Sequence, residues 1–453
     1  MSWTRRSVPH RAYTLEAEAT LATLDSPWQL DVCEVTEEHP EGRRFSTRDN
    51  QFLQTPAKLR IVFAPTSRPI RGSLAQNLEL FRLLNVPDDF TNERTQPVTH
   101  SFAHRTDESG WCSWFYFLCK NIDIRQRHHD GGMEMYHRAA ELGFYPAAGH
   151  IPGTDFTWHR TTFFLRSDRS GGVTLVCFNA APRVRARFDE VMMLGSDRVV
   201  ADIVSQPYIL FDAALEGLQL DVDTMVWNMN RVFSTYERDK LLLSIELGSG
   251  GAPADQLRNP RRGASDPFTA LHNCAKHIIY LGEALESCLM NLDAVLASSH
   301  AQQSGEQRRP VDVQLEECLR YRRSLFRSTQ IRLSSLQKRT DNALTLSFNL
   351  VTQQGAMLTM QDSHTMRVIA VLTMVFLPST AVATVVGSQL FVTEAGKKGE
   401  EGDGWTVKAT PLFWVTWWIA IPLTVCVMGV ALVWHWWMRR GGRRWGDSGA
   451  WYC

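Results

Sequence analysis

Thr373, Thr380 and Thr384 stand seven and four residues apart in a stretch that carries no charge from Val368 to Val386. Met366, Ile369, Leu377 and Gly387 fall between and around them at steps of three and four, so on a helix all seven share one face. Ser388 and Gln389 follow directly. Hydroxyl, amide and carbonyl oxygens suit a hard divalent cation such as magnesium, which prefers oxygen ligands and gives up its water reluctantly. Apolar side chains between such oxygens would form constrictions that close by dewetting. The chemistry this stripe could do is therefore passage of a hydrated or partly dehydrated cation, with no bond made or broken. The same residue types also suit a plainer role, in which small and hydroxyl-bearing side chains pack spans together or bond their own backbone. Pro378 removes one backbone hydrogen bond and can kink the helix, a feature that membrane helices tolerate.

The elements that must position this stripe are two apolar runs at the end of the chain. Val368–Val386 is 19 uncharged residues, about the length a helix needs to cross a bilayer core. A second run extends from Leu412 to Trp437, and Trp405, Trp414, Trp417, Trp418, Trp434, Trp436 and Trp437 lie where membrane interfaces would fall. The basic tail Arg439-Arg440-Gly441-Gly442-Arg443-Arg444 places the tail, and with it the N-terminal part, on the cytosolic side. The intervening loop carries Glu394, Glu400, Glu401 and Asp403. These acids either concentrate cations at an outer mouth or belong to a solvated loop whose charge is offset by Lys397, Lys398 and Lys408. Asp362, one turn before the membrane, is either an inner-mouth acid or an interfacial helix residue.

The preceding ~365 residues are long enough for one or two domains. The 453-residue chain has zero formal net charge, which gives no electrostatic argument for a nucleic-acid partner. Its nine cysteines include no Cys-x-x-Cys pair and point to a reduced compartment. Met1–Arg6 lacks the apolar core of a signal peptide, and its arginines faintly resemble a transit peptide. Residues 1–57 read as a poorly ordered arm. Lys58–Pro65 reads as an alternating strand, Leu74–Asn85 as a helix, and Trp111–Leu118, Thr161–Leu165 and Gly172–Asn179 as strands, with a hairpin turn at Ser167–Gly172. Residues 122–157 read as an exposed insertion. Long helices follow over 207–243, 266–298 and from Val311 into the membrane. The last exceeds 70 residues, so it needs packing partners for much of its course. Its basic run Arg320, Arg322, Arg323, Arg327, Arg332, Lys338 and Arg339 either is a solvated face or meets acids on neighbouring helices. His128-His129-Asp130 has no partner spacing for a metal site. The chain has no nucleotide-binding loop, no Gly-x-Ser-x-Gly and no His-Glu-x-x-His, so nothing in it supports an enzyme.

Phe376-Leu377-Pro378-Ser379-Thr380-Ala381-Val382-Ala383-Thr384-Val385-Val386-Gly387-Ser388-Gln389 resembles the stretch that closes the first span of CorA-type magnesium channels. Phe, Pro, Thr, Ala and the Gly of the terminal Gly-Met-Asn motif fall in register. The run Ile369–Pro378 looks like the fungal branch of that family, and the resemblance is sharp over about 335–391. It implies an α+β membrane protein with a cytosolic α/β domain (58–205), a long-helix stalk region (206–365), a pore helix (366–391), an outer loop (392–410), a second span (411–437) and a basic cytosolic tail (438–453). It also implies a homopentamer in lipid that passes Mg2+ or a similar divalent cation, with no permanently bound cofactor and no nucleic acid. Met366, Ile369 and Leu377 match the family's gate positions, and Gly387, Ser388 and Gln389 stand at its filter. Ser388 and Gln389 replace the family's Met and Asn. Gln keeps the amide but adds a methylene, and Ser loses an apolar packing group. That departure supports an alternative: a membrane-anchored oligomeric scaffold or sensor that kept the fold and lost transport.

Overall fold

A computed structural model describes residues 9–20, 28–127, 131–136, 156–193, 197–248, 267–302, 308–386, 391–394 and 406–443. The chain divides into two compact units, Met1–Phe348 and Asn349–Cys453.

The first unit is built on the strands β1 (Leu30–Val35), β2 (Arg43–Thr47), β3 (Leu59–Ala64), β4 (His100–Thr106), β5 (Gly110–Asn121), β6 (Ile124–Gln126), β7 (Met133–Met135), β8 (Thr157–Asp168) and β9 (Val173–Phe178). Seven of them form one sheet in the order β2-β1-β3-β9-β8-β5-β4, with β6 and β7 paired as a separate ribbon. Only the β3–β9 pair in this sheet is parallel. Helices α1 (Arg11–Ala19), α2 (Leu74–Leu83) and α3 (Asp88–Arg94) cover one face. The other face carries α4 (Pro182–Met193), α5 (Asp197–Ser205), α6 (Ile209–Gly248), α7 (Pro267–Ala301) and the N-terminal part of α8 (Pro310–Val386).

Burial on both faces explains the composition of the central strands. Val62, Phe164, Val176 and Phe178 pack toward α1–α3, while Ile61, Phe63, Phe163, Leu165, Leu175 and Cys177 pack toward the long helices. A strand covered on both sides is a continuous apolar run rather than an alternating one. Arg60 therefore points inside and not to solvent. Its Nε donates to Glu34 at 2.7 Å, and its Nη2 donates to the carbonyls of Phe52 and Thr55, each at 2.9 Å. Glu34 is wholly buried between Arg60 and Arg43.

The same network corrects the expectation that residues 1–57 form a loose arm. Asp31, Glu34, Arg43 and Arg44 look solvated as a sequence. In the fold β1 pairs with both β2 and β3, and the charges neutralise one another: Arg43 Nη2 of β2 lies 2.6 Å from Glu34, and Arg185 of α4 lies 2.8 Å from Asp31. Within the expected α/β domain at 58–205, α2 falls on the expected helix Leu74–Asn85, while α3, α4 and α5 are further helices that the sequence reading did not place. Within the expected insertion at 122–157, β6 and β7 are paired strands. The hairpin at Ser167–Gly172 joins β8 to β9, with Gly171 at φ 92°. Gly110, at the start of β5, admits no side chain, because a Cβ there would sit 2.1 Å from the Ser167 carbonyl oxygen.

Burial holds three histidines neutral. It pushes His159 down to about 4, and His10 and His104 also shift down, His104 with help from Arg105. A histidine with a depressed folded pKa contributes stability that is present above its unfolded value near 6.5 and lost as pH falls through the folded value. The melting temperature should therefore fall between pH 6.5 and 4, and the fall should be shallower for His159→Gln. A pH series of melting curves on the two proteins checks this.

Helices α6, α7 and α8 form the layer against the sheet. Of the positions that periodicity assigns to the core, Leu210, Ala214, Leu218, Val222, Val226 and Met229 on α6 and Leu315, Leu319, Phe326, Leu333, Leu336 and Ser347 on α8 are buried, while Leu344 on α8 is only half-buried. Helices α6 and α8 run parallel, since their contacts keep a nearly constant offset from Asp212–Arg322 to Asn230–Arg339. Helix α7 runs antiparallel to α8: Asp293 meets Arg323 at 2.8 Å, and His300 meets Glu316 at 3.4 Å. A Cβ on Gly217 would come within 2.6 Å of the Val184 Cα, which is how closely α4 and α6 approach.

In the second unit α8 continues to Val386, β10 (Phe391–Glu394) pairs with β11 (Thr406–Ala409), and α9 (Pro411–Arg443) follows. The expected outer loop 392–410 thus begins and ends in a two-stranded ribbon. The unit boundary at Phe348/Asn349 lies 17 residues before the expected start of the first span at Met366, within a continuous helix.

Candidate ion pathway and its supporting helices

Met366, Ile369, Thr373, Leu377, Thr380 and Thr384 all lie on α8, which remains helical through Pro378 to Val386. At about 100° per residue these six positions fall within roughly 80° of the helix circumference, so the stripe is one face. Around it the segment is apolar on every side. Met366 is 72% exposed and Leu377 69%, and Ile369, Val371, Leu372 and Phe376 are exposed as well. A helix that is hydrophobic all round requires an apolar surrounding, either lipid or other protein. Pro378 itself is buried.

The hydroxyls are oriented by their own helix. Thr373 Oγ1 donates to the Ala370 carbonyl at 2.8 Å, Thr380 to Phe376 at 2.9 Å and Leu377 at 3.0 Å, and Thr384 to Thr380 at 3.0 Å. This is the self-bonded arrangement that the plainer reading of the stripe anticipates. It has a chemical consequence. A hydroxyl whose proton is committed to the backbone presents only oxygen lone pairs outward, which are the acceptors that a hydrated cation's water protons or a bare cation would meet.

Gly387, Ser388 and Gln389 lie outside the described residues, as do Glu400, Glu401 and Asp403. The backbone of Glu394 ends β10, opposite Thr406. His128, His129 and Asp130 are also outside the described residues. Among the described residues no group of three or more His, Cys, Asp or Glu is arranged to hold a metal ion. Apolar segments in the described residues are Pro411–Val430, which is 20 residues long and long enough to cross a membrane, and the shorter Thr365–Pro378. Only 11% of the longer segment is buried, unlike the core helix of a globular domain. The shorter one falls below the length of about 20 residues that a helix needs to cross a bilayer core, so of the two expected spans only the second has that length among the described residues.

Much of the basic run on α8 faces acids. Glu216, Asp223, Asn230 and Glu237, seven residues apart on α6, all meet α8. Arg322 reaches Asp212 at 3.3 Å and Glu216 at 3.0 Å, Arg332 reaches Asp223 at 2.5 Å, and Arg339 bonds Asn230 at 3.0 Å and Glu237 at 2.5 Å. Thr329 adds a hydrogen bond to Asp223 at 2.7 Å. A seven-residue repeat of paired charges fixes the register of two parallel helices. Arg323 pairs with Asp293 of α7 and Arg320 with Glu316. Arg322, Arg323, Arg332 and Arg339 thus meet acids on neighbouring helices, whereas Arg320 pairs within its own helix and Arg327 bonds Gln330 beside it. The stripe-bearing helix is held in register by its N-terminal half.

A second feature has no signature in the sequence. A cavity of about 1040 Å³ opens at the carboxyl ends of β3 and β9 and collects Arg68, Arg94, Arg160 and Arg185 from four separate segments. Residues so far apart become neighbours only because β3 and β9 are parallel and β5 and β8 flank them.

No family model matches the chain. It is 31% identical over 280 residues to the notoamide biosynthesis cluster protein M' of Aspergillus versicolor, a match that covers 60% of this chain and 58% of that protein, less than two thirds of its length. Among solved structures, it is similar to the complete CorA magnesium transporter of Methanocaldococcus jannaschii, with a TM-score of 0.37 and 8% identity over 91% of this chain and 98% of that one. It is also similar to the ZntB cytoplasmic domain of Vibrio parahaemolyticus RIMD 2210633, with a TM-score of 0.38 and 9% identity over 72% of this chain and 100% of that one. The full-length CmaX protein gives a TM-score of 0.38 and 14% identity over 93% of this chain and 100% of that one. At these identities and scores the structural likeness carries nothing about activity.

Proposed function

We propose that the chain is a transmembrane channel for a divalent metal cation, magnesium or a similar ion, assembled as a homopentamer with α8 lining the pore. The observation that carries this reading is α8 itself. One 77-residue helix is packed and charge-paired in the folded unit, then becomes exposed and apolar all round while bearing a one-sided stripe of threonine oxygens. Thr373, Thr380 and Thr384 supply acceptor oxygens along the pathway, and Met366, Ile369 and Leu377 form its dewetting constrictions. Gly387, Ser388 and Gln389 stand at the outer end as the filter, and Glu394, Glu400, Glu401 and Asp403 enrich cations at the mouth. Helix α9 is the second span, with both termini cytosolic.

A second reading rests on Ser388 and Gln389, which change both side chains at the filter. In it the chain is a membrane-anchored oligomeric scaffold or sensor. Cation uptake into liposomes separates the two. Purified protein is reconstituted, and magnesium, nickel and cobalt entry are followed beside Ser388→Met/Gln389→Asn. Flux through the native protein is the expected result, with Gln389 acting as a working filter amide. Flux through the double variant alone supports the scaffold. If both preparations are pentameric and neither conducts, transport is excluded for this chain.

A further inference from the structure

The arginine-lined cavity is placed where open α/β sheets bind ligands, beyond the carboxyl ends of parallel strands where the chain leaves in different directions. Its volume of about 1040 Å³ is that of a site for a sizeable organic molecule. Two of its four arginines are neutralised locally. Arg185 bonds Asp31 at 2.8 Å, and Arg94 bonds Glu93 at 2.9 Å. Arg68 and Arg160 have no carboxylate within ion-pair distance among the described residues. They repel each other, and this repulsion together with burial lowers the affinity of Arg160 for its proton. Glu16, the remaining acid on the cavity wall, is exposed on α1.

The floor is unfinished in the same sense. The Arg94 side chain is only 2% exposed, and its Nε is buried without an acceptor, although its other nitrogens donate to Thr162 at 2.9 Å and Ser101 at 3.3 Å. Its guanidinium lies 4.3 Å from the centre of the Tyr116 ring. The Arg160 guanidinium stands 5.7 Å from the centre of the Trp158 ring. Two guanidinium groups without a carboxylate partner thus line the same cavity as a third whose Nε has no acceptor, among the described residues. An anion between them would turn repulsion into paired, bidentate bonds, the geometry in which arginine binds phosphate best. Half-buried Trp158 lines the same cavity and offers an aromatic surface there.

The geometry points to this cavity as a binding site for a soluble di- or triphosphate ester of nucleotide size, its phosphates on Arg68, Arg160 and Arg94 and its organic part against Trp158. The site is distinct from the proposed ion pathway, and its test does not depend on conduction. Full-length protein in detergent is titrated calorimetrically with pyrophosphate and with ATP, in EDTA, beside Arg68→Gln/Arg160→Gln and the outside control Arg105→Gln. The native protein and the control should bind both probes, ATP more tightly, and the double variant should bind them at least about tenfold more weakly. Without ligand, the double variant should melt no lower than the native protein, because the substitution removes a like-charge contact. Its melting temperature should also no longer rise with ATP. Equal binding of the native and double-variant proteins overturns the assignment, as does binding that sulfate matches at equal concentration, which would mean an adventitious ion only. Absence of binding to the native protein also overturns it.

Discussion

Arg322→Met should lower the melting temperature of the full-length protein by roughly 5–10 °C, reflecting a loss of about 3–5 kcal/mol. Arg322 is 10% exposed and stands between two carboxylates of α6, Asp212 at 3.3 Å and Glu216 at 3.0 Å. Burial outweighs the pull of Arg322 and leaves Asp212 above the usual carboxylate range, whereas Arg322, reached by two acids, is held more firmly charged. The pair is therefore not a strong net stabiliser. Breaking it is costly because it leaves a buried charge with no partner. Met keeps the packing volume of the arginine stem, so the loss measures the charge and not a cavity. Replacing both acids in the same background, Asp212→Leu/Glu216→Met/Arg322→Met, should recover most of the lost stability. If the triple variant melts as low as Arg322→Met, the ladder acts through shape and not through compensated charge.

Leu377→Ser should raise cation flux in liposomes at least about tenfold, because a hydroxyl wets a constriction that an isobutyl group keeps dry. Val375→Ser is the matched comparison. Val375 is exposed on the same helical turn but lies about 160° around from Leu377, outside the stripe. Under the proposed pathway it faces lipid or the second span, and its substitution should leave flux within about twofold of native. Equal effects at the two positions would mean that the face bearing Thr373, Thr380 and Thr384 does not line the route. A reduction at Leu377 with no change at Val375 would keep the face but remove the dewetting role.

These two expectations concern the two halves of one helix, and the halves differ in how much the sequence reveals. Helical periodicity alone located α6, α7 and α8 within a few residues, because a long amphipathic helix repeats its apolar positions many times over and local registration errors average out. The stripe of α8 is equally legible, since Met366 to Thr384 are close in sequence and need only helical geometry to share a face. The hairpin at Ser167–Gly172 was legible for the same local reason: turn chemistry depends on adjacent residues.

What the sequence could not reveal is everything that depends on partners far away along the chain. Residues 1–57 read as a loose arm because residues such as Asp31, Glu34 and Arg43 are charged, and only pairing with Arg60 from the next strand and Arg43 makes Glu34 an interior residue. The sequence leaves open whether the arginines of α8 are a solvated face or meet acids, and α6 decides it for Arg322, Arg332 and Arg339 by bringing Glu216, Asp223 and Glu237 against them from about 100 residues away. The cavity of Arg68, Arg94 and Arg160 has no sequence trace at all, because a crossover connection places its three segments together. Local hydrogen bonding and periodicity decide which residues are helical and which face is apolar. The sign and partner of a buried charge are decided by long-range packing, since desolvation and compensation exist only once the tertiary structure has formed.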